Sequence, residues 1–190
     1  MTERSEPPIP TLAYAILALL AREPLSGYQM SQQLSDPIGH FWQARHSQIH
    51  PILSRLERIG WTTSQPISGP GPHATKRYRM TEAGLTALRH WVGAPQARRS
   101  SRDELLLRVY ASWVVEPEVT IRLLREAEAH HADQLGIYLE RRASARSRGA
   151  EEPPGTAWFA DYATLRRGIG FERGRLAWVR WLIGRIEAEM

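Results

Sequence analysis

Residues 47–61 gather the side chains best suited to chemistry in this chain. Ile49, Ile52, Leu53, Leu56 and Ile59 recur at helical spacing and make one apolar stripe. Gln48, His50, Ser54, Arg55 and Arg58 occupy the opposite face. An amide, an imidazole, a hydroxyl and two guanidinium groups supply donors and acceptors for base edges and cations for phosphates. Such a face suits the major groove of double-stranded DNA. Pro51 falls near the first turn, where its missing amide proton removes little. Gly60 can adopt the left-handed conformation that stops a helix.

Other chemistries lack their residues. There is no glycine-rich phosphate loop, no His-Glu-x-x-His and no nucleophile elbow, and the chain has no cysteine. No catalytic residue is assigned, and an enzyme is not expected. His46 and His50 stand four apart, as two metal ligands on one helix face would. No third ligand follows nearby, and a DNA-facing role accounts for both, so neither metal nor cofactor is expected. His130 and His131 are neighbours that point to different sides of a helix.

The interface needs a frame, and the flanking sequence supplies one. Residues 11–21 are almost wholly apolar but too short to span a bilayer, which suits a buried core helix. A break at Glu23-Pro24-Leu25 follows. Ser26 can cap a second helix reaching about residue 35, with Tyr28, Met30 and Leu34 facing inward. After Gly60, Trp61-Thr-Thr-Ser-Gln65 is β-prone, Gly69-Pro-Gly-Pro72 carries turn chemistry, and Lys76-Arg-Tyr-Arg-Met80 alternates as a strand. Thr81 opens a fourth helix ending near Trp91. Three helices, a β-hairpin and a helix give a winged helix-turn-helix, whose wing brings Lys76, Arg77 and Arg79 close to a DNA backbone.

This ordered set resembles the PadR-like transcriptional regulators. The match runs through Ile16-Leu-Ala-Leu-Leu20, Pro24-Leu-Ser-Gly-Tyr28, Phe41-Trp42, Ser47-Gln-Ile-His-Pro-Ile-Leu-Ser-Arg-Leu56, Gly60, the Gly-Pro wing and Lys76-Arg-Tyr-Arg-Met-Thr-Glu-Ala-Gly84. The resemblance implies a dimeric DNA-binding regulator, most often a repressor, with a helical C-terminal dimerisation region. The chain departs from it at His50, where the family usually has tyrosine before the proline. Both rings are flat and can hydrogen-bond. On this reading Gln48, His50 and Arg55 lie nearest the bases, with Pro51 among them. Tyr28, Ser47, Lys76 and Arg77 hold the phosphates.

Composition agrees. The chain has 190 residues and a net charge of +5. Nearly all of the basic side chains are arginine, and Lys76 is the only lysine. A basic surplus favours a polyanionic partner, although the arginine total reflects composition and only the placement of Arg55, Arg58, Lys76, Arg77 and Arg79 is informative. Residues 1–10 are polar and proline-rich, without the apolar core of a signal peptide. A cytoplasmic chain with no membrane segment and a flexible tail at 1–9 is expected, with the winged domain at 10–95 and a helical domain at 96–190.

In the second half, residues 96–102 form a basic linker. Asp103 starts a helix rich in Leu105, Leu106, Leu107, Val109, Tyr110, Trp113 and Val114, and Glu116-Pro117-Glu118 begins the next. That helix runs to about residue 146 with Leu124, His131, Leu135 and Tyr138 in its stripe. Residues 144–154 lose periodicity and read as a loop. In the last helix Trp158, Tyr162, Leu165, Ile169, Glu172, Leu176, Val179, Ile183 and Ile186 alternate in steps of four and three. This is a heptad seam broken only by Glu172. Tyr162, Leu165, Ile169, Leu176, Val179 and Ile183 are its candidate homodimer contacts. Gly168, Gly170, Gly174 and Gly184 weaken the helix and imply close packing or a kink. Trp113, Trp158 and Trp178 fit either a pocket for a small aromatic effector or ordinary interface packing.

The fold expected is mainly α: an N-terminal winged helix-turn-helix with a two-stranded β wing, plus an all-α C-terminal dimerisation domain. The function expected is a homodimeric repressor on an inverted-repeat operator, released by a small aromatic effector. The alternative is a winged protein-interaction module without DNA binding.

Overall fold

A computed structural model describes residues 8–35, 46–67, 75–96, 102–147 and 153–190. Phe41-Trp42, the Gly69-Pro-Gly-Pro72 turn and Arg98 and Arg99 of the linker lie outside the described residues. The chain forms two compact units, residues 1–97 and 98–190.

The first unit contains α1 (Thr11–Leu20), β1 (Leu25–Ser26), α2 (Gly27–Ser35), α3 (His46–Arg58), β2 (Thr62–Ile67), β3 (Thr75–Met80) and α4 (Glu82–Gly93). Its core joins Ile16 and Leu17 of α1, Met30 and Leu34 of α2, and Ile49, Leu53 and Leu56 of α3, all fully buried. Burying that much aliphatic surface is the main force holding α3 in place. Tyr28 departs from the inward role expected for it, since it is 65% exposed.

The wing is larger than a hairpin. β2 and β3 pair antiparallel with Ser64 opposite Tyr78 and Pro66 opposite Lys76. β1 adds a third strand, with Leu25 opposite Tyr78 and Ser26 opposite Arg77. Ser26 also caps α2. Its Oγ accepts the Gln29 amide at 3.3 Å, while its own amide donates to Gln29 Oε1 at 2.9 Å, a reciprocal capping box.

The end of α3 is tied to the start of α4. Gly60 takes φ +76°, the Trp61 amide reaches the Leu56 carbonyl at 2.9 Å and the Gly60 amide reaches Glu57 at 3.1 Å. These two bonds make a Schellman stop. Thr81 Oγ1 donates to the Gly60 carbonyl at 2.7 Å, the Thr81 amide donates to Trp61 at 3.0 Å, and Thr81 Oγ1 accepts the Gly84 amide at 3.1 Å. Gly84 sits so close that a β-carbon there would lie 2.3 Å from the Trp61 carbonyl oxygen.

The second unit contains α5 (Glu104–Tyr110), a 3-10 turn (Ser112–Val114), α6 (Pro117–Ser147) and α7 (Ala157–Glu187). Asp103 caps α5 by accepting the Leu106 amide at 3.1 Å. The helix expected to run through Val114 breaks at Ala111, leaving Leu107, Tyr110, Trp113 and Val114 well exposed. α6 continues to Ser147, into the stretch expected as loop.

α6 and α7 run antiparallel, linked by Arg125–Glu187 at 2.8 Å, Glu128–Arg180 at 2.7 Å and His131–Glu172 at 2.6 Å. The heptad seam therefore closes inside the chain. Ile169, Leu176, Val179 and Ile183 are buried in a single copy, with Val179 and Ile183 packed around Leu124 of α6. Tyr162 and Leu165 are half-buried. Ile169, Leu176, Val179 and Ile183, expected as homodimer contacts, therefore pack within one copy, while Tyr162 and Leu165 keep part of their surface exposed. Glu172, the one polar position of the seam, meets His131 within that packing. α7 is continuous through its glycines. A β-carbon on Gly170, Gly174 or Gly184 would meet nothing within 4 Å, so these three do not serve close packing within the chain.

Candidate nucleic-acid interface

The buried stripe of α3 fixes which residues face outward. With Ile49, Leu53 and Leu56 in the core, Ser47, Gln48, Pro51, Ser54 and Arg58 project into solvent. Pro51 is the sixth residue of α3, so it sits beyond the first turn where it was expected. There it denies the Ser47 carbonyl its usual i+4 amide donor.

Two of the expected base-reading residues are placed differently. His50 is exposed, but its ring lies beside the start of α2: a β-carbon on Gly27 would come within 3.2 Å of His50 Cε1. The imidazole therefore fills the joint between α2 and α3. Arg55 is half-buried, and its Nη1 donates to the Pro8 carbonyl at 3.3 Å. The chain segment before α1 thus crosses the side of α3 from which Arg55 projects.

Strand alternation sorts the wing cations. Tyr78 is buried, and burial pushes its hydroxyl pKa up. Lys76 shares the Tyr78 face, whereas Arg77 and Arg79 are exposed on the other. The three cations expected together therefore divide. Lys76 Nζ lies 3.7 Å from Glu57 Oε2 on α3, and Ser64 Oγ donates to Glu57 Oε1 at 2.5 Å. Glu57 and Ser64 are site residues that sequence reasoning missed. The available signal was the seven-residue interval from His50 to Glu57, which puts both on one side of α3. Tyr28 stands exposed at the first turn of α2, where its hydroxyl accepts Gln32 Nε2 at 3.0 Å.

The three tryptophans expected near an effector do not converge. Trp113, 82% exposed, stands on the 3-10 turn. Trp158 is half-buried at the start of α7. Trp178 alone lines a groove, of about 390 Å³, with Leu106, Phe171, Arg167, Arg175 and the two open glycines 170 and 174. The Arg175 guanidinium lies 5.7 Å from both the Phe171 and the Trp178 ring centroids, and it is bonded to Asp103. No group of three or more candidate metal ligands occurs among the described residues. No helix among them is long and apolar enough to cross a membrane.

Comparison with known proteins places this geometry. Residues 16–90 match the profile described as "Transcriptional regulator PadR-like family", and residues 101–187 match "Virulence activator alpha C-term". The negative transcriptional regulator PadR of Bacillus subtilis is 28% identical over 94% of this chain and 98% of its own length. A crystal structure of B. subtilis PadR in complex with operator DNA has a TM-score of 0.83 at 24% identity, covering 93% of this chain and 99% of that one. Another, in complex with p-coumaric acid, has a TM-score of 0.79 at 24% identity and covers 96% and 99%. A PadR-type winged head followed by a matching helical C-terminal region, in the same order across almost the whole length, is what the two profiles and the relative share. The chain belongs to the PadR-like family of transcriptional regulators.

Proposed function

We propose that this chain is a cytoplasmic, homodimeric repressor that binds an inverted-repeat operator in double-stranded DNA. The observation that carries the reading is the outward face of α3. Ser47, Gln48, Pro51, Ser54 and Arg58 project from a helix whose other side is locked into the core, and the central wing strand β3 exposes Arg77 and Arg79 on its outer face. Gln48 reads base edges in the major groove, with Pro51 against the groove wall. Ser47, Tyr28 and Arg77 hold phosphates, which position the head without reading sequence. Arg55 joins the bases once it leaves the Pro8 carbonyl. His50 supports this face from the α2 joint.

Dimerisation provides the second head that an inverted repeat requires. The α7 seam is occupied by α6, so the second copy docks on Leu107, Tyr110, Trp113 and Val114, an exposed apolar run of the kind that marks interfaces. A small aromatic effector releases the operator by binding one state of the dimer more tightly than the other. The p-coumaric acid complex of the B. subtilis relative supports the effector class, and Trp178 with Phe171 offers the flat apolar wall for it.

The test is binding of the full chain to a duplex of its own upstream DNA and to a scrambled duplex, across a salt series. Selective binding with a steep salt slope is expected. Failure to distinguish the duplexes, joined with binding to a protein partner, would favour a winged interaction module instead.

A further inference from the structure

Glu57 is an acid on the helix assigned to the groove, and phosphate binding gives no reason for one there. Its side chain faces the wing, and the strand register explains what it meets. Ser64 is opposite Tyr78, and Lys76 precedes Tyr78 by two residues. Alternate residues share a face, so the Ser64 hydroxyl and the Lys76 ammonium both point toward α3. Glu57 accepts the first at 2.5 Å and pairs with the second at 3.7 Å. Lys76 is the only lysine in the chain. Its side chain is half-exposed and that of Glu57 one-third exposed, so the pair contributes little to stability.

We propose that Glu57 is a positioning residue that acts through Lys76: it balances the wing lysine's charge and so withholds one sequence-blind contact, tempering the affinity for every duplex and its salt dependence. The inference rests on the DNA-binding reading above. A free cation that neutralises a phosphate releases a counterion and adds about 0.9 to the slope of log affinity against log salt. A lysine already paired to a carboxylate adds little. Phosphate contacts carry no sequence information, so an internal partner for Lys76 lowers affinity for operator and scrambled DNA by the same factor.

The experiment measures affinity for operator and scrambled duplexes across a salt series, using the full chain and the variants E57Q, K76Q, E57Q/K76Q and S64A. Glu57→Gln is expected to steepen the slope by about 0.9 and to tighten binding to both duplexes by the same factor. Lys76→Gln alone should change the slope by much less, yet remove the whole gain in the E57Q background. A full loss of about 0.9 from Lys76→Gln alone would overturn the proposal, and this arm stands even if Glu57→Gln fails to fold. An equal gain from E57Q with and without Lys76 would overturn it too. So would a Ser64→Ala variant, both charges kept, that reproduces E57Q, since wing displacement would then be the cause. Absence of wild-type binding to either duplex would strike the DNA-binding reading instead. The pair can then be read without DNA: reductive ¹³C-methylation labels Lys76 as the one side-chain amine. Glu57→Gln must shift that resonance, and an unmoved signal overturns the pair.

Discussion

At the scale of single residues, the proposed roles of reading and holding fall on different elements, α3 and β3. Gln48 projects from the face opposite Leu53, while Arg77 projects from the exposed face of β3. Gln48→Ala should therefore cost about 1–3 kcal/mol of discrimination at one operator position. Arg77→Ala should weaken all duplexes alike and flatten the salt slope by about 0.9. Binding curves on a set of singly substituted operators separate the two; equal loss of discrimination from both variants would refute these roles. In the helical unit, His131 and Glu172 meet at 2.6 Å with both side chains largely buried. His131→Ala leaves the buried Glu172 carboxyl without its hydrogen-bond partner, a loss of about 1–3 kcal/mol. Chemical denaturation of the double variant H131A/E172L should recover much of that loss. A double variant no more stable than H131A would show that the pairing is unimportant.

At the scale of elements, periodicity was legible and packing partners were not. The apolar stripe of α3, its glycine stop, the capping Ser26 and the strand run at 76–80 follow from spacing and side-chain type, and each occurs in the structure. The heptad of α7 was equally plain, but a seam specifies an apolar neighbour without saying which chain supplies it. Antiparallel α6 supplies it here. Similarly, β1 is too short to register as a strand; it pairs with β3 through Leu25 opposite Tyr78 and Ser26 opposite Arg77, a contact between distant stretches of chain. His50 and Arg55 are polar at helical spacing, yet Gly27 and Pro8 lie 23 and 47 residues away in sequence, beyond any local pattern. Gly84 is an element-scale requirement of the same kind. Gly84→Ala would force its β-carbon into the Trp61 carbonyl, so we expect a loss of at least about 1–3 kcal/mol, the usual cost of overpacking. Thermal unfolding of G84A beside G174A, whose site is open, provides the comparison; equal midpoints would contradict the clash.

At the scale of the whole molecule, acid should act on the helical unit. Burial pushes Asp103 up, but its hydrogen bonds to Arg175 and to the Leu106 amide outweigh that and hold it below its ordinary 3.8. Hydrogen bonds from Arg180 and Arg125 hold Glu128 below its ordinary 4.5. A lowered folded-state pKa contributes stability above the unfolded value, lost as pH falls through the folded value. Stability of this unit should thus be level above about pH 4.5 and decline below pH 4, with a shallower decline in D103N. Tryptophan fluorescence during denaturation at several pH values reads this, and a pH-independent midpoint would refute it. Self-association is the other whole-molecule property: Trp113→Glu should shift sedimentation toward monomer, and an unchanged dimer would move the contact elsewhere. The clasp of Thr81 on Gly60 and Trp61 has its own consequence for engineering. The hairpin is fastened at its base, where β3 leads into α4. Lengthening the connection between Ile67 and Thr75 should cost only about 0.6 kcal/mol per doubling of the loop. An engineer can therefore graft a reporter peptide between Ile67 and Thr75 while the clasp keeps α3 and α4 in place.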